Sequence, residues 1–138
     1  MTLFLPLGDE GIVTCNGCFD GLHPGHLFYL GFCRAQGKRL VVGINTDDYI
    51  VRHKRPVPIP QDQRRSDLMS LGLIEEVEIF PEENPIEFLV RRRPLIHCIG
   101  EEYKGVAVEL LVCKRLGIKV VYVPRIGKWS STEIRGEK

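Results

Sequence analysis

The residues best able to do chemistry in this sequence lie in two stretches near its ends. The first is Asn16-Gly17-Cys18-Phe19-Asp20-Gly21-Leu22-His23-Pro24-Gly25-His26, which leaves an apolar run at Ile12 to Cys15 and enters the apolar segment Leu27, Phe28, Tyr29, Leu30. A strand, a glycine-bearing loop and a helix start, in that order, form an anion site: the unpaired N–H groups and positive dipole end at a helix N-terminus attract phosphate. Gly17 and Gly25 let the main chain approach a phosphate closely. His23 and His26 are three apart, so a helical backbone puts them on one face, where two imidazoles can grip one triphosphate and stabilise charge as it develops. The second stretch, Arg125-Ile126-Gly127-Lys128-Trp129-Ser130-Ser131-Thr132-Glu133-Ile134, follows another apolar run. Ser130, Ser131 and Thr132 before Glu133 make a helix-capping composition, which brings a second helix N-terminus to the same edge. Standing alone, it reads as a capped surface helix with Trp129 packed as a hydrophobic staple.

Two other chemistries compete for the first stretch. Cys15-Asn16-Gly17-Cys18 is a C-x-x-C between strand and helix, the setting of a thiol redox pair. Cys15, however, falls inside the apolar strand pattern, and Asp20, Gly21 and Pro24 prolong the loop where a redox helix would already begin. Cys15, Cys18, His23 and His26 are also suitable zinc donors, but the His-x-x-His spacing is tight and a strand cysteine points poorly. Phosphate binding is the reading carried forward, with no metal held by protein side chains.

These groups need elements to hold them. Short runs rich in branched residues recur at Ile12 to Cys15, Leu40 to Ile44, Val77 to Phe80, Leu95 to Ile99 and Val120 to Val123, which predicts five strands. Helix-length segments lie between them. Ala107, Leu110, Leu111 and Lys114 recur at helical spacing beside Glu109 and Arg115, and Gly117 supplies a stop. Gly37 punctuates the chain in the same way before Leu40-Val41-Val42, and Pro56 to Pro60 reads as a surface loop before a helix opening near Asp62. Apolar runs without alternation suit strands covered on both faces. Strand and helix alternating through short connections imply right-handed crossovers. The expectation is an α/β fold: one doubly wound, Rossmann-like domain over residues 1–138 with a five-stranded parallel sheet.

Composition narrows the function. With 138 residues, 43% hydrophobic and 27% charged, the chain suits one packed core without disulfide or metal support. A net charge of +1 offers no broad field for a polyanion, Arg91-Arg92-Arg93 being a local exception, so no nucleic-acid partner is expected. Met1 to Glu10 contains Pro6, Asp9 and Glu10 and lacks the basic start and apolar run of a secretory signal, and no stretch is long and apolar enough to span a membrane. Five cysteines, an odd number, read as reduced thiols, which places the protein in the cytoplasm and off the membrane.

Asn16 to His26 resembles the H-x-G-H signature of the cytidylyltransferase-like nucleotidyltransferases in its longer form G-x-F-D-x-x-H-x-G-H, met by Gly17, Phe19, Asp20, His23, Gly25 and His26. The resemblance implies that His23 and His26 contact the triphosphate and assist attack of a substrate phosphate oxygen at the α-phosphorus, with no covalent enzyme intermediate. Arg125, Ser130, Ser131, Thr132 and Ile134 are similar to the family's late motif, whose arginine, hydroxyls and helix amides hold phosphate. Lys128 and Trp129 depart from that motif, standing where glycine and isoleucine are common.

The resemblance continues between the motifs. Asn45-Thr46-Asp47-Asp48 is similar to a family segment whose following lysines bind substrate phosphate, which implies that role for Lys54 and less firmly for Arg55. A solvated basic loop is the alternative. Gln63-Arg64 resembles a Q-R pair and makes Arg64 a further anion contact, or else an ordinary arginine of an amphipathic helix. Gly100 matches a glycine whose backbone meets the nucleotide base. The implied nucleotide-binding set is Asn16, Gly17, Phe19, Gly25, Gly100, Ser130, Ser131 and Thr132; Asp20, Lys54 and Arg64 are the implied acceptor contacts, and His23, His26 and Arg125 the catalytic set.

The implied partners are an NTP carrying Mg²⁺ and a phosphorylated small-molecule acceptor. Wording such as Asn-Gly-x-Phe-Asp, Arg-Pro-Val and Gln-Arg resembles the adenylyltransferase of ADP-heptose synthesis, favouring ATP and a sugar phosphate. Ile99 stands where that group carries lysine, and Val121 to Arg125 is similar to glycerol-3-phosphate cytidylyltransferase, so CTP with a polyol phosphate stays open. A nucleotide-binding regulatory module without turnover is the reading of a different class. A homodimer is expected, from the resemblance and from the apolar character of Leu27 to Cys33 on almost every face.

Overall fold

A computed structural model of the chain describes residues 11–125. The strands are β1 (Ile12–Gly17), β2 (Arg39–Asn45), β3 (Glu76–Phe80), β4 (Ile96–Gly100) and β5 (Lys119–Val123). The helices are α1 (Pro24–Arg34), α2 (Asp47–His53), α3 (Gln61–Met69), α4 (Ile86–Arg92) and α5 (Leu110–Leu116), with a 3₁₀ turn at Glu101–Tyr103. The strands form one parallel sheet in the order β3-β2-β1-β4-β5, with Thr14 opposite Val41 on one side and His97 on the other. The expected five-stranded α/β fold is therefore present.

Each face of the sheet is covered, as unbroken apolar strands require. Val13, Cys15, Leu40, Val42 and Ile44 pack with Leu30 and Cys33 of α1 and Leu68 of α3. Ile12 and Val41 face the other way, towards Phe88 and Leu89 of α4 and Cys113 of α5. Gly43 leaves room there: a Cβ would lie 3.0 Å from the rings of Phe80 and Phe88, which stack with centroids 5.6 Å apart.

Local chemistry sets the helix ends. Thr46 caps α2 by accepting the Tyr49 N–H, and Asp47 and Asp48 in the first turn oppose Arg52 and His53 in the last, in the sense the helix dipole favours. Gly117 ends α5 at φ 73°, a left-handed angle that glycine adopts without strain. α5 differs from the expected stripe. It opens at Leu110, leaves Leu111 exposed, and turns Cys113 inward, with Glu109 buried just before its start. The buried face thus follows the Glu109 and Cys113 spacing, because a two-turn helix is oriented by its few buried contacts more than by average periodicity.

Arg91 and Arg92 are not a basic patch. Arg92 pairs with Glu76 at 2.6 Å and Glu78 at 2.7 Å, and Arg91 with Glu78 at 2.7 Å and Glu82 at 3.0 Å. The arginines hold the carboxyls of Glu76 and Glu82 below the usual range. These pairs line edge strand β3. No helix of the described residues is long and apolar enough to cross a membrane.

Candidate active site

The chain leaves β1 for β2 and β3 on one side, then returns to β4 and β5 on the other. Strand order reverses at β1, and in open α/β sheets the crevice beyond the carboxyl ends of the strands at such a point receives ligands. Gly17 ends β1 there and Gly100 ends β4. A cavity of about 170 Å³ between them is lined by Asn16, Gly17, Cys18, Phe19, His26, Tyr29, Gly100 and Tyr103. A larger one, about 630 Å³, shares Asn16 to Phe19, His26 and Tyr103 and extends past β2 to Asn45, Tyr49, Lys54 and Arg55 and past β4 to Val106, Ala107, Val108 and Glu109.

α1 points its start at this crevice. Its N-cap is His23, extended at φ −145°, with Pro24 opening the first turn. His23 Nδ1 accepts the His26 N–H at 3.3 Å, so the neutral imidazole carries its proton on Nε2. The rings of His23 and His26 stack with centroids 3.8 Å apart and planes 20° apart. Phe19 closes the group, its ring 5.1 Å from that of His26 on a backbone held at φ 49°, a left-handed angle unusual outside glycine and aspartate-like residues. Burial, and then the neighbouring His23, lower the His26 pKa to about 4, against the opposing pull of a hydrogen bond to the Gly21 carbonyl. His26 is thus a neutral donor at pH 7. Only His26 of the pair lines the cavities; His23 stands behind it as cap and stacking partner, and Gly25 is the second residue of α1.

The cations separate into different roles. Lys54 caps the C-terminus of α2, lines the larger cavity and makes no ion pair among the described residues. Arg55 also lines it but pairs with Asp20 at 3.1 Å. Asp20, 4% exposed at the side chain, accepts the Ile59 N–H at 2.8 Å through its other oxygen, so it clasps the loop before α3 from the cavity wall.

Arg64 corrects an expectation. As an anion contact it would have to face the cavity, yet it is 1% exposed. Its guanidinium donates to the carbonyls of Ile59, Cys18 and Asn45 and to the Asp47 carboxylate, at 2.8 to 3.0 Å. Those acceptors come from three loops, and satisfying buried carbonyls holds the side chain inward. Arg64 positions the loops.

Arg125 is also elsewhere than the expected catalytic set: it lines neither cavity, its N–H donates to Glu101 at 2.9 Å, and its guanidinium lies 4.0 Å from Glu102. Ser130, Ser131 and Thr132 lie outside the described residues. Asn16, Gly17, Phe19 and Gly100, four of the residues singled out for the nucleotide, line the smaller cavity together.

Tyr49, Tyr103 and Glu109 line the cavity without having been singled out for it, although Tyr49 and Tyr103 each closely follow a strand end, the one available signal. Cys15 and Cys18 are free thiols; burial pushes the Cys18 pKa up, and its Sγ donates to Asn45 Oδ1 at 3.3 Å. No three His, Cys, Asp or Glu side chains converge as a metal site among the described residues.

Comparison with known proteins gives a consistent picture. The family model described as Cytidylyltransferase-like matches residues 14–137. The bifunctional protein HldE of Campylobacter concisus is 41% identical over 101 residues, covering 71% of this chain and 21% of its own length. That of Hyphomonas neptunium is 36% identical over 122 residues, 86% of this chain and 25% of its own. The chain thus spans about a fifth to a quarter of these relatives. Among solved structures, a lipopolysaccharide core biosynthesis protein from Thermoplasma volcanium superposes with a TM-score of 0.67 at 25% identity, covering 88% of this chain and 100% of that one. A pantothenate synthetase from Thermus thermophilus, at 17% identity and TM-score 0.63 over 91% of this chain and 61% of its own, shares the fold.

Proposed function

Since the chain belongs to the cytidylyltransferase-like family, we propose that it transfers the nucleoside monophosphate of an NTP, ATP by preference, to a sugar phosphate and releases pyrophosphate. The observation that carries the reading is the neutral His26 imidazole, stacked on His23 at the start of α1 and facing a cavity at the reversal point of the sheet. A phosphate oxygen of the acceptor attacks the α-phosphorus, the bond to the bridging oxygen breaks, and pyrophosphate carries away the electron pair. His26 donates a hydrogen bond to oxygen as charge moves, and His23 fixes its orientation. Lys54, which lines the larger cavity and makes no ion pair among the described residues, holds the acceptor's phosphate against repulsion from the triphosphate.

Magnesium fits as part of the nucleotide. With Asp20 engaged by Arg55 and Ile59, and no three donor side chains converging among the described residues, its ligands would be mainly triphosphate oxygens. When bound it supplies charge neutralisation. The same reading includes a homodimer formed through the exposed side of α1.

The test is pyrophosphate release from the purified protein with ATP and CTP against a panel of sugar and polyol phosphates. Turnover with ATP and a sugar phosphate is expected. Turnover with CTP and glycerol 3-phosphate instead establishes the second reading, which Val121 to Arg125 favours. No turnover across the panel overturns both in favour of a regulatory module.

A further inference from the structure

Thr14, His97 and Glu109 form a buried polar chain that the proposed transfer does not use. Thr14 and His97 are register partners on β1 and β4, and the Thr14 hydroxyl lies 2.8 Å from His97 Nδ1. His97 Nε2 lies 3.1 Å from Glu109 Oε2. Thr14 and His97 are fully buried, and the Glu109 side chain is 8% exposed. No substrate reaches the hydroxyl or the imidazole, so the chain is not a nucleophilic triad.

Its open end is what matters. Glu109 lines the larger cavity, and His97 engages only Oε2, so Oε1 is the carboxylate oxygen left to meet a ligand there. A buried histidine and carboxylate are no more stabilising than well-packed apolar side chains of the same volume, so what the chain provides is orientation. The main-chain hydrogen bonds within residues 101–110 are local to that stretch, which makes the Glu109 to His97 bond its tie to β4 on the cavity side.

Position says what Oε1 meets. Lys54 and Arg55 lie beyond β2, on the side assigned to the acceptor, whereas Glu109 lies against β4, on the Gly100 side of the crevice. A carboxylate repels phosphate, so its partner is a neutral donor. We propose that Glu109 is a specificity residue for the nucleoside half of the nucleotide, accepting a hydrogen bond from a base amino group or a ribose hydroxyl, and that His97 and Thr14 are positioning residues that aim it. The inference rests on the nucleotide-binding reading above.

Calorimetric titration of the full chain with Mg²⁺ and ATP, CTP, their 2′-deoxy and 3′-deoxy forms, ITP and UTP tests it. ITP and UTP lack the amino groups of adenine and cytosine, and the deoxy forms each lack one hydroxyl. Wild type is expected to bind ATP or CTP at least tenfold more tightly than one of these analogues. Glu109→Ala should weaken the preferred nucleotide about tenfold, leave that one analogue unchanged, and so erase the discrimination. Glu109→Gln, which keeps an acceptor oxygen and the shape, should restore part of it and serves if the alanine variant fails to fold. The analogue that loses its penalty identifies the donor. Equal losses for every nucleotide, the mark of a purely structural role, or no loss at all would overturn the proposal. Failure of wild type to bind any of them instead removes the nucleotide reading beneath it.

Discussion

The imidazole of His26 is the group whose state this site most strongly controls. Replacement of His26 by Ala should lower turnover by at least ~100-fold, the scale of one lost transition-state donor, while the circular dichroism spectrum and melting profile stay close to wild type. The same residue predicts a pH effect. Its pKa is about 4 folded against an ordinary 6.5, so the unfolded chain binds the proton more readily and folding is favoured above pH 6.5. As pH falls from 6.5 through 4 only the unfolded chain takes up this proton, which disfavours folding by up to about 3 kcal/mol. Urea midpoints at pH 7 and pH 4 should therefore fall further for wild type than for His26→Gln. Lys54→Ala should raise the acceptor's KM far more than the nucleotide's, because on the proposed reading the cavity-lining cation lost serves the acceptor's phosphate. A rise confined to the nucleotide KM would misplace the acceptor. The histidines were legible in the sequence because a fixed spacing beside glycine is a local signal. The inward turn of Arg64 was not, since it depends on carbonyls from residues 18, 45 and 59 meeting in space.

Among the elements, the five strands were readable because buried parallel strands need unbroken apolar runs, and those runs are short, branched and bounded by glycine or charge. The facing of α5 departs from its apparent stripe: with only two turns, its orientation follows the buried Cys113 and the adjoining Glu109 to His97 bond, a contact between residues twelve apart. α3 acts through one side chain. Arg64 gathers the loops after β1 and β2 and the loop before α3 itself. Arg64→Met fills similar volume but strands the buried Asn45 carbonyl and the partly buried carbonyls of Cys18 and Ile59, so a loss of about 3 kcal/mol in denaturant unfolding is expected. Near-wild-type stability would mean that the loops hold without it.

For the whole molecule, the proposed homodimer rests on α1, where Leu27 is 46% and Phe28 39% exposed while Leu30 and Cys33 are fully buried. The sequence showed a helix apolar all round; the structure shows that the sheet takes only part of it. Sedimentation at micromolar concentration should give a dimer that Leu27→Lys with Phe28→Lys converts to monomer. A wild-type monomer would refute it. The charged border of the sheet bears on how copies can meet at all. On β3, Glu76 and Glu78 are fixed to Arg91 and Arg92 at 2.6 to 2.7 Å. A strand from a neighbouring copy adding to this edge would have to desolvate or break those pairs, and charged side chains on an edge strand are a known defence against strand addition. Fibril growth by edge-to-edge pairing is therefore blocked at β3. Acidification that protonates Glu76 releases its pair with Arg92 and weakens the defence, so thioflavin-positive aggregation should begin only below the usual carboxylate range, where the depressed Glu76 titrates, and Glu76→Ala with Glu78→Ala should move its onset towards neutral pH.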